Sequence, residues 1–207
     1  MTTSDPVAAP PSLGLAALAR AQAALAAGVK EEPFGSNTGP EVREYLSHCV
    51  RHGSLLGLTA AEWCASFASW CIWSAWASGR TQDFEPDALA WPKPIHPWDI
   101  PPVGYRAAVS ELVVDAKETK TWFDVTAIKS GMATIAPGML AIFGRAGHDP
   151  RNGGEGHVAI VESVSTGGLS YVVISGNSNN AVSRETRTLY DENEPLVGVI
   201  SLDGPGA

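Results

Sequence analysis

Residues 63–77 read WCASFASWCIWSAWA, from Trp63 to Ala77, and form the most apolar stretch of the chain. Apolar side chains fall on nearly every face of a helix drawn through this run. That predicts a helix buried between other elements rather than an amphipathic helix on the surface. A membrane span needs about 20 apolar residues, and Glu62 and Arg80 fence the run well short of that. Gly79 is a natural stop. Thr59 and Glu62 have the spacing of a capping box, which would start the helix at Thr59. Our reading instead places a break or short turn just before Trp63, so that Cys64 lies near the helix start. Unpaired backbone N–H groups and the positive end of the helix dipole there favour a thiolate and an oxyanion.

A thiol becomes a strong nucleophile when an imidazole takes its proton and a third polar group fixes the imidazole's tautomer and direction. Both partners are found downstream. Residues 157–164, HVAIVESV, and 169–175, LSYVVIS, are rich in β-branched side chains and flank the turn signal Ser165-Thr166-Gly167-Gly168. They predict an antiparallel hairpin. A three-residue loop, Thr166 to Gly168, sets Ser165 opposite Leu169 and His157 opposite Asn177, with side chains on one face roughly 5 Å apart. A loop of even length pairs His157 with Gly176 instead. Ser175 and Asn179 are then the alternative orienters. The expectation is one cleft holding Cys64, His157 and Asn177, within or slightly beyond hydrogen-bond reach.

The set W-C-A-x-F-x-x-W-C at Trp63, P-G-x-L at Pro137, G-H-V-A-I-V at Gly156 and G-N-S-x-N-A-V-S at Gly176 resembles the CHAP family, the cysteine- and histidine-dependent amidohydrolases/peptidases. The upstream Gly35-Ser36-Asn37-Thr38-Gly39-Pro40-Glu41-Val42, followed by Tyr45-Leu46, resembles the lead-in of bacterial proteins of this type. The resemblance spans roughly residues 29 to 80 and 137 to 190. It implies a papain-like fold and an enzyme that cuts bacterial peptidoglycan, with Cys64 as nucleophile, His157 as base and Asn177 as third member. Many relatives carry an acidic residue where Ser175 stands, which leaves Asn177 to orient the histidine alone. Many also carry Asp in place of Met139. Trp63, Ser175, Trp91 and Trp98 are the candidate substrate-binding residues.

Of the 207 residues, 44% are hydrophobic, enough to fill one core, and the net charge is −8. Sequence-independent binding to nucleic acid or to an anionic membrane calls for a basic patch, so neither is expected as a partner. The three cysteines at positions 49, 64 and 71 are an odd and sparse set, which reads as reduced thiols. Cys71, on the same helix face as Cys64, reads as packing. No Lys or Arg precedes Arg20 and Asp5 sits where a signal peptide is positive, so Sec export is not expected. Action at the cell wall would then follow release or a non-Sec route, and a delivery apparatus or an immunity protein is a conceivable partner.

Residues 1–28 read as a loose arm and an Ala-rich helix over Leu13 to Val29. Residues 29–207 read as a single catalytic domain with an insertion at about 81–136. A further helix is expected from Pro40 to His52, where proline suits the first turn, and another at Tyr105 to Lys120. Strands are expected at Met139 to Gly144, in the hairpin, at Ala181 to Leu189 and at Leu196 to Leu202. Helices first and then a meander imply an α+β fold, with N-terminal helices packed on a C-terminal antiparallel sheet.

His48, Cys49 and His52 give H-C-x-x-H, two histidines on one helix face as in many zinc sites, but no further ligand clusters nearby. No metal or other cofactor is expected. The loop Gly144 to Gly156 lacks the alternating acidic ligands of a calcium site and reads as a flexible loop ahead of His157. The Trp- and Pro-rich run Phe84 to Pro102 is either a groove wall or a wrap over the core. The leading function is a cysteine amidohydrolase or endopeptidase, of the N-acetylmuramoyl-L-alanine amidase type, working on peptidoglycan through an acyl-enzyme. The alternatives are a papain-like deamidase, acyltransferase or protein protease, or an inactive binding module.

Overall fold

The computed structural model describes residues 12–78 and 101–205. Helix α1 (Leu13–Ala26) opens with Ser12, whose side chain accepts from the Leu15 N–H. Its buried alanines Ala17, Ala21 and Ala24 let it lie close against the core. Helix α2 (Pro40–Ser47) carries proline in its first turn as expected, but stops short of His52. His52 and Gly53 take left-handed conformations (φ 49° and 77°) and turn a small hairpin, β1 (Val50–Arg51) with β2 (Ser54–Leu55). His48 and His52 therefore do not share a helix face. Among the described residues no group of three or more metal-binding side chains is found.

The apolar run forms α3 (Cys64–Ser78), and the Phe67 N–H bonds the Trp63 carbonyl at 2.9 Å. The helix thus begins at Cys64, not at Thr59. Helix α4 (Val109–Glu118) is shorter than expected, while strand β3 (Trp122–Asp124) and helix α5 (Val125–Lys129) were not anticipated. Asp124 caps α5 by accepting from the Thr126 N–H at 3.0 Å. The remaining strands are β4 (Leu140–Gly144), β5 (Gly156–Val164), β6 (Ser170–Ser178), β7 (Ala181–Thr188) and β8 (Leu196–Ile200).

These build one six-stranded antiparallel sheet in the order β3-β8-β4-β5-β6-β7. Strands β4 to β7 form a meander. The expectation fails at β8, which returns to lie between β3 and β4. All five residues of β8 are buried, so it suits an interior position, whereas β7 alternates exposed with covered residues as an edge does. Helices α1 to α4 cover one face of the sheet, over Leu140, Ile142, Val158, Ile160 and Ile174. The opposite face packs Ala141, Phe143, Ala159, Val161, Tyr171 and Val173 with Ile128 and Leu189. Both faces are buried, which explains why β4 and the start of β5 read as continuous apolar runs. The architecture is α+β, helices on an antiparallel sheet. Among the described residues no helix is long and apolar enough to cross a membrane.

Candidate active site

Cys64 is the first residue of α3 and is only 5% exposed. Burial pushes its thiol pKa up, and the backbone amides of Val158 and Ala65 pull in the opposite direction. Arg145 also favours the thiolate, while Glu62 opposes it. Close packing delivers the helix end to this place. A Cβ on Gly176 would lie 2.6 Å from Phe67 Cβ and 2.7 Å from the Trp63 ring, so only glycine in β6 lets α3 settle here. Cys49 and Cys71 are fully buried, and the Cys49 thiol meets Ser66 Oγ at 3.1 Å. The three thiols are free.

The register of the hairpin arises by a route the sequence did not suggest. Ser165 pairs with Ser170, and Val164 with Tyr171, so residues 166–169 make a four-residue turn. Left uncorrected, this register places Ser178 opposite His157. A bulge between Val161 and Ser163 shifts the strands by one residue, giving Val161↔Val173 and Ile160↔Ile174. Continued to the strand end, that register aligns His157 with Asn177. A second irregularity, between Ser175 and Ser178, puts Asn177 in a left-handed conformation (φ 57°) and re-aims its side chain.

The re-aimed amide joins a polar chain. Asn177 Nδ2 donates to Glu62 Oε2 at 2.5 Å and to Asn37 Oδ1 at 3.2 Å. The Asn37 backbone N–H donates to Glu31 at 2.9 Å, and Trp63 Nε1 donates to the other oxygen of the same carboxylate at 2.9 Å. Glu31 is 2% exposed, and these two donors compensate its burial. One buried carboxylate therefore ties the residue before Cys64 to the loop that holds Asn177. Sequence reasoning missed Glu31 and the role of Glu62. The Gly35–Pro40 motif was the available signal, since Asn37 lies inside it.

His157 is 4% exposed and follows Gly156 at the start of β5. A Cβ on Gly156 would lie 2.8 Å from Pro150, which explains the glycine before the histidine. Burial holds the imidazole pKa down to about 4, against a raising effect of Glu194; Arg145 and Arg187 lower it further and Glu185 raises it. His157 is thus a neutral base at neutral pH. Its Nδ1 is buried with no hydrogen-bond partner among the described residues. His157 and Asn177 line one cleft of about 290 Å³ together with Arg145, Ser178, Asn179, Glu185, Arg187 and Glu194. Strand alternation puts the His157 ring on the face of Phe143, 6.3 Å from that ring, whereas Cys64 belongs to the helix-covered face. The thiol lies on one side of the strand end and the imidazole on the other, and Cys64 is not among the residues lining the cleft that holds His157 and Asn177. Among the described residues no hydrogen bond joins Cys64 to His157, or His157 to Asn177.

The substrate-binding candidates need correction. Trp63 is fully buried with its indole N–H taken by Glu31, and Ser175 is 1% exposed within β6, so both are packing residues here. Trp91 and Trp98 lie outside the described residues. The loop before His157 is braced rather than loose: Arg151 pairs with Asp149 at 2.7 Å and with Asp124 at 2.8 Å. Both carboxylates are committed to the guanidinium, so they do not form a cation site. The charged cleft residues Glu185 and Arg187 were also missed, although their period-two spacing in β7 places them on one face.

A family model described as the CHAP domain matches residues 57–177 of this chain. The matched span begins before α3 and ends at Asn177, so it contains Cys64 and His157 as well. No curated protein and no solved structure matches the chain.

Proposed function

We propose, from the premise that this chain belongs to the CHAP domain family, that it is a cysteine hydrolase cutting amide bonds in bacterial peptidoglycan. The family is papain-like and of the peptidoglycan hydrolase and amidase type. The observation that carries the finer reading is the junction at the sheet end. There Cys64, at the head of α3, rests on the Val158 amide, the residue after a histidine held neutral by burial.

In the proposed reaction the His157 ring turns about the strand end toward Cys64 and accepts the thiol proton. Sγ forms a bond to the amide carbonyl carbon, and the carbonyl electron pair moves onto oxygen, where N–H groups at the head of α3 stabilise it. As the oxyanion collapses, the C–N bond breaks and the imidazolium gives its proton to the departing amine. Water, deprotonated by His157, then attacks the thioester carbon; the C–S bond breaks, the imidazolium returns its proton to the departing sulfur, and the acid released ionises to a carboxylate. Asn177, fixed by Glu62 and Asn37, limits the directions open to the imidazole. The proposed site of action is the bacterial cell wall.

Digestion of purified peptidoglycan, with mass analysis of the fragments, tests this. New amine and carboxylate ends are expected from the unaltered protein. Cys64→Ala and His157→Ala are each expected to lose at least about 10³-fold in rate, and Asn177→Ala a smaller factor. Cleavage that survives Cys64→Ala contradicts the reading.

A further inference from the structure

Arg145 stands apart from the other charged residues of the cleft. It follows the last residue of β4 and opens a two-residue turn, exchanging backbone hydrogen bonds with His148 at 3.2 and 2.8 Å. Ala146 and Gly147 both take left-handed conformations, φ 50° and 80°, the form that fits a tight hairpin. The backbone that carries the guanidinium is therefore fixed, one residue beyond the Gly144↔Gly156 pair and next to His157.

Arg187 in the same cleft is 13% exposed and pairs closely with Glu185 at 2.6 Å and Glu194 Oε2 at 2.7 Å, although its buried Nε has no partner among the described residues. Among the described residues, Arg145, 40% exposed, meets only Glu62 at 3.8 Å and Glu194 Oε1 at 4.0 Å. Those separations are within ion-pair range but beyond hydrogen-bond length, so the fork of donors on Arg145 is uncommitted. Glu194 Oε1 is likewise left over once Oε2 is bound by Arg187. A bare carboxylate here would meet Arg145 but also face Glu194. A bare ammonium would meet the reverse. A group carrying both charges on one carbon satisfies both residues at once, the carboxylate bidentate on the guanidinium and the ammonium on Glu194 Oε1.

We propose that Arg145 and Glu194 form a subsite for the free amino-acid head of a branched peptide, an adjacent carboxylate and ammonium. The inference rests on the hydrolase reading and narrows its substrate to stem peptides whose diamino acid keeps a free carboxylate, as diaminopimelate does and lysine does not.

The test uses two synthetic stem peptides that differ only in diaminopimelate against lysine. The unaltered protein is expected to favour the diaminopimelate peptide by about tenfold or more in kcat/KM, the value of one charge-assisted contact. Arg145→Gln is expected to bring the ratio to within about twofold, with Arg145→Lys between the two. Glu194→Gln weakens both peptides, since both carry the ammonium. Affinities of the two peptides for Cys64→Ala protein, measured by calorimetry, provide a readout independent of turnover. Equal affinities and equal kcat/KM values, or a ratio untouched by Arg145→Gln, overturn the subsite. A clear affinity preference with neither peptide cleaved supports the subsite and counts against the hydrolase reading.

Discussion

His157 has the pKa of a buried, neutral imidazole, about 4 against an ordinary 6.5. The folded protein therefore binds this proton less readily than the unfolded chain. The associated stability is fully present above pH 6.5 and is lost as pH falls toward about 4. At about 1.36 kcal/mol per pH unit, the loss reaches about 3 kcal/mol. Urea denaturation between pH 7 and 4 is expected to show this slope in the unaltered protein, reduced by that amount in His157→Gln. Equal slopes contradict a buried neutral histidine. The same depression predicts that kcat/KM for peptidoglycan fragments keeps its plateau at pH 6 and falls only near pH 4, where the base becomes protonated. An acid limb at 6.5 would mean the imidazole is solvated. Tests at this scale isolate the chemistry of a side chain whose type and place at a strand start were legible from Gly156-His157-Val158 alone.

At the scale of elements, what was legible divides by range. The capping-box spacing of Thr59 and Glu62 pointed away from the observed start at Cys64, whereas the core helix and the hairpin follow from local features, an apolar run and a β-branched pattern. Two features that set the site do not. The bulge between Val161 and Ser163 and the irregularity at Asn177 are single-residue shifts in a ladder, and both residue patterns fit a regular strand equally well. The turn is one residue longer than supposed, and the bulge compensates by restoring the expected register at Val161↔Val173 and Ile160↔Ile174. Strand β3 is three residues long, too short for periodicity to reveal, and the placement of β8 depends on which strands need both faces covered. Gly176 belongs to this scale, because it sets how closely α3 approaches β6. Gly176→Ala must displace Phe67 or the Trp63 ring and is expected to cost about 1–3 kcal/mol with a sharp fall in peptidoglycan cleavage. Denaturation midpoint and turnover, measured together, check it. Unchanged values for both would show that α3 is not held against β6 at this point.

Across the whole molecule, the account is that an N-terminal helical layer supplies the thiol and the sheet supplies the base. The buried Glu31 carboxylate braces the junction through Trp63 and Asn37. Of that long-range brace, linking residues 31, 37, 62, 63 and 177, the Gly35–Pro40 motif marked Asn37 but not its partners, since each contact spans elements distant in the chain or a loop without periodicity. Cys49 and Cys71 provide internal controls: both are sealed in the core, and burial raises each thiol pKa as it does that of Cys64. What separates Cys64 from them is its place at the head of α3, against the Val158 amide that follows His157. The decisive measurement is iodoacetamide labelling at pH 6, with peptide mapping by mass spectrometry, in the unaltered protein and in His157→Ala. At that pH an unassisted thiol of raised pKa scarcely ionises, so fast labelling requires a base that takes the proton as sulfur attacks. Cys64 is expected to be labelled first, and His157→Ala to slow its labelling by about tenfold or more while leaving Cys49 and Cys71 unchanged. Equal labelling of all three thiols, or Cys64 labelling unaltered by His157→Ala, would contradict the pairing of nucleophile and base.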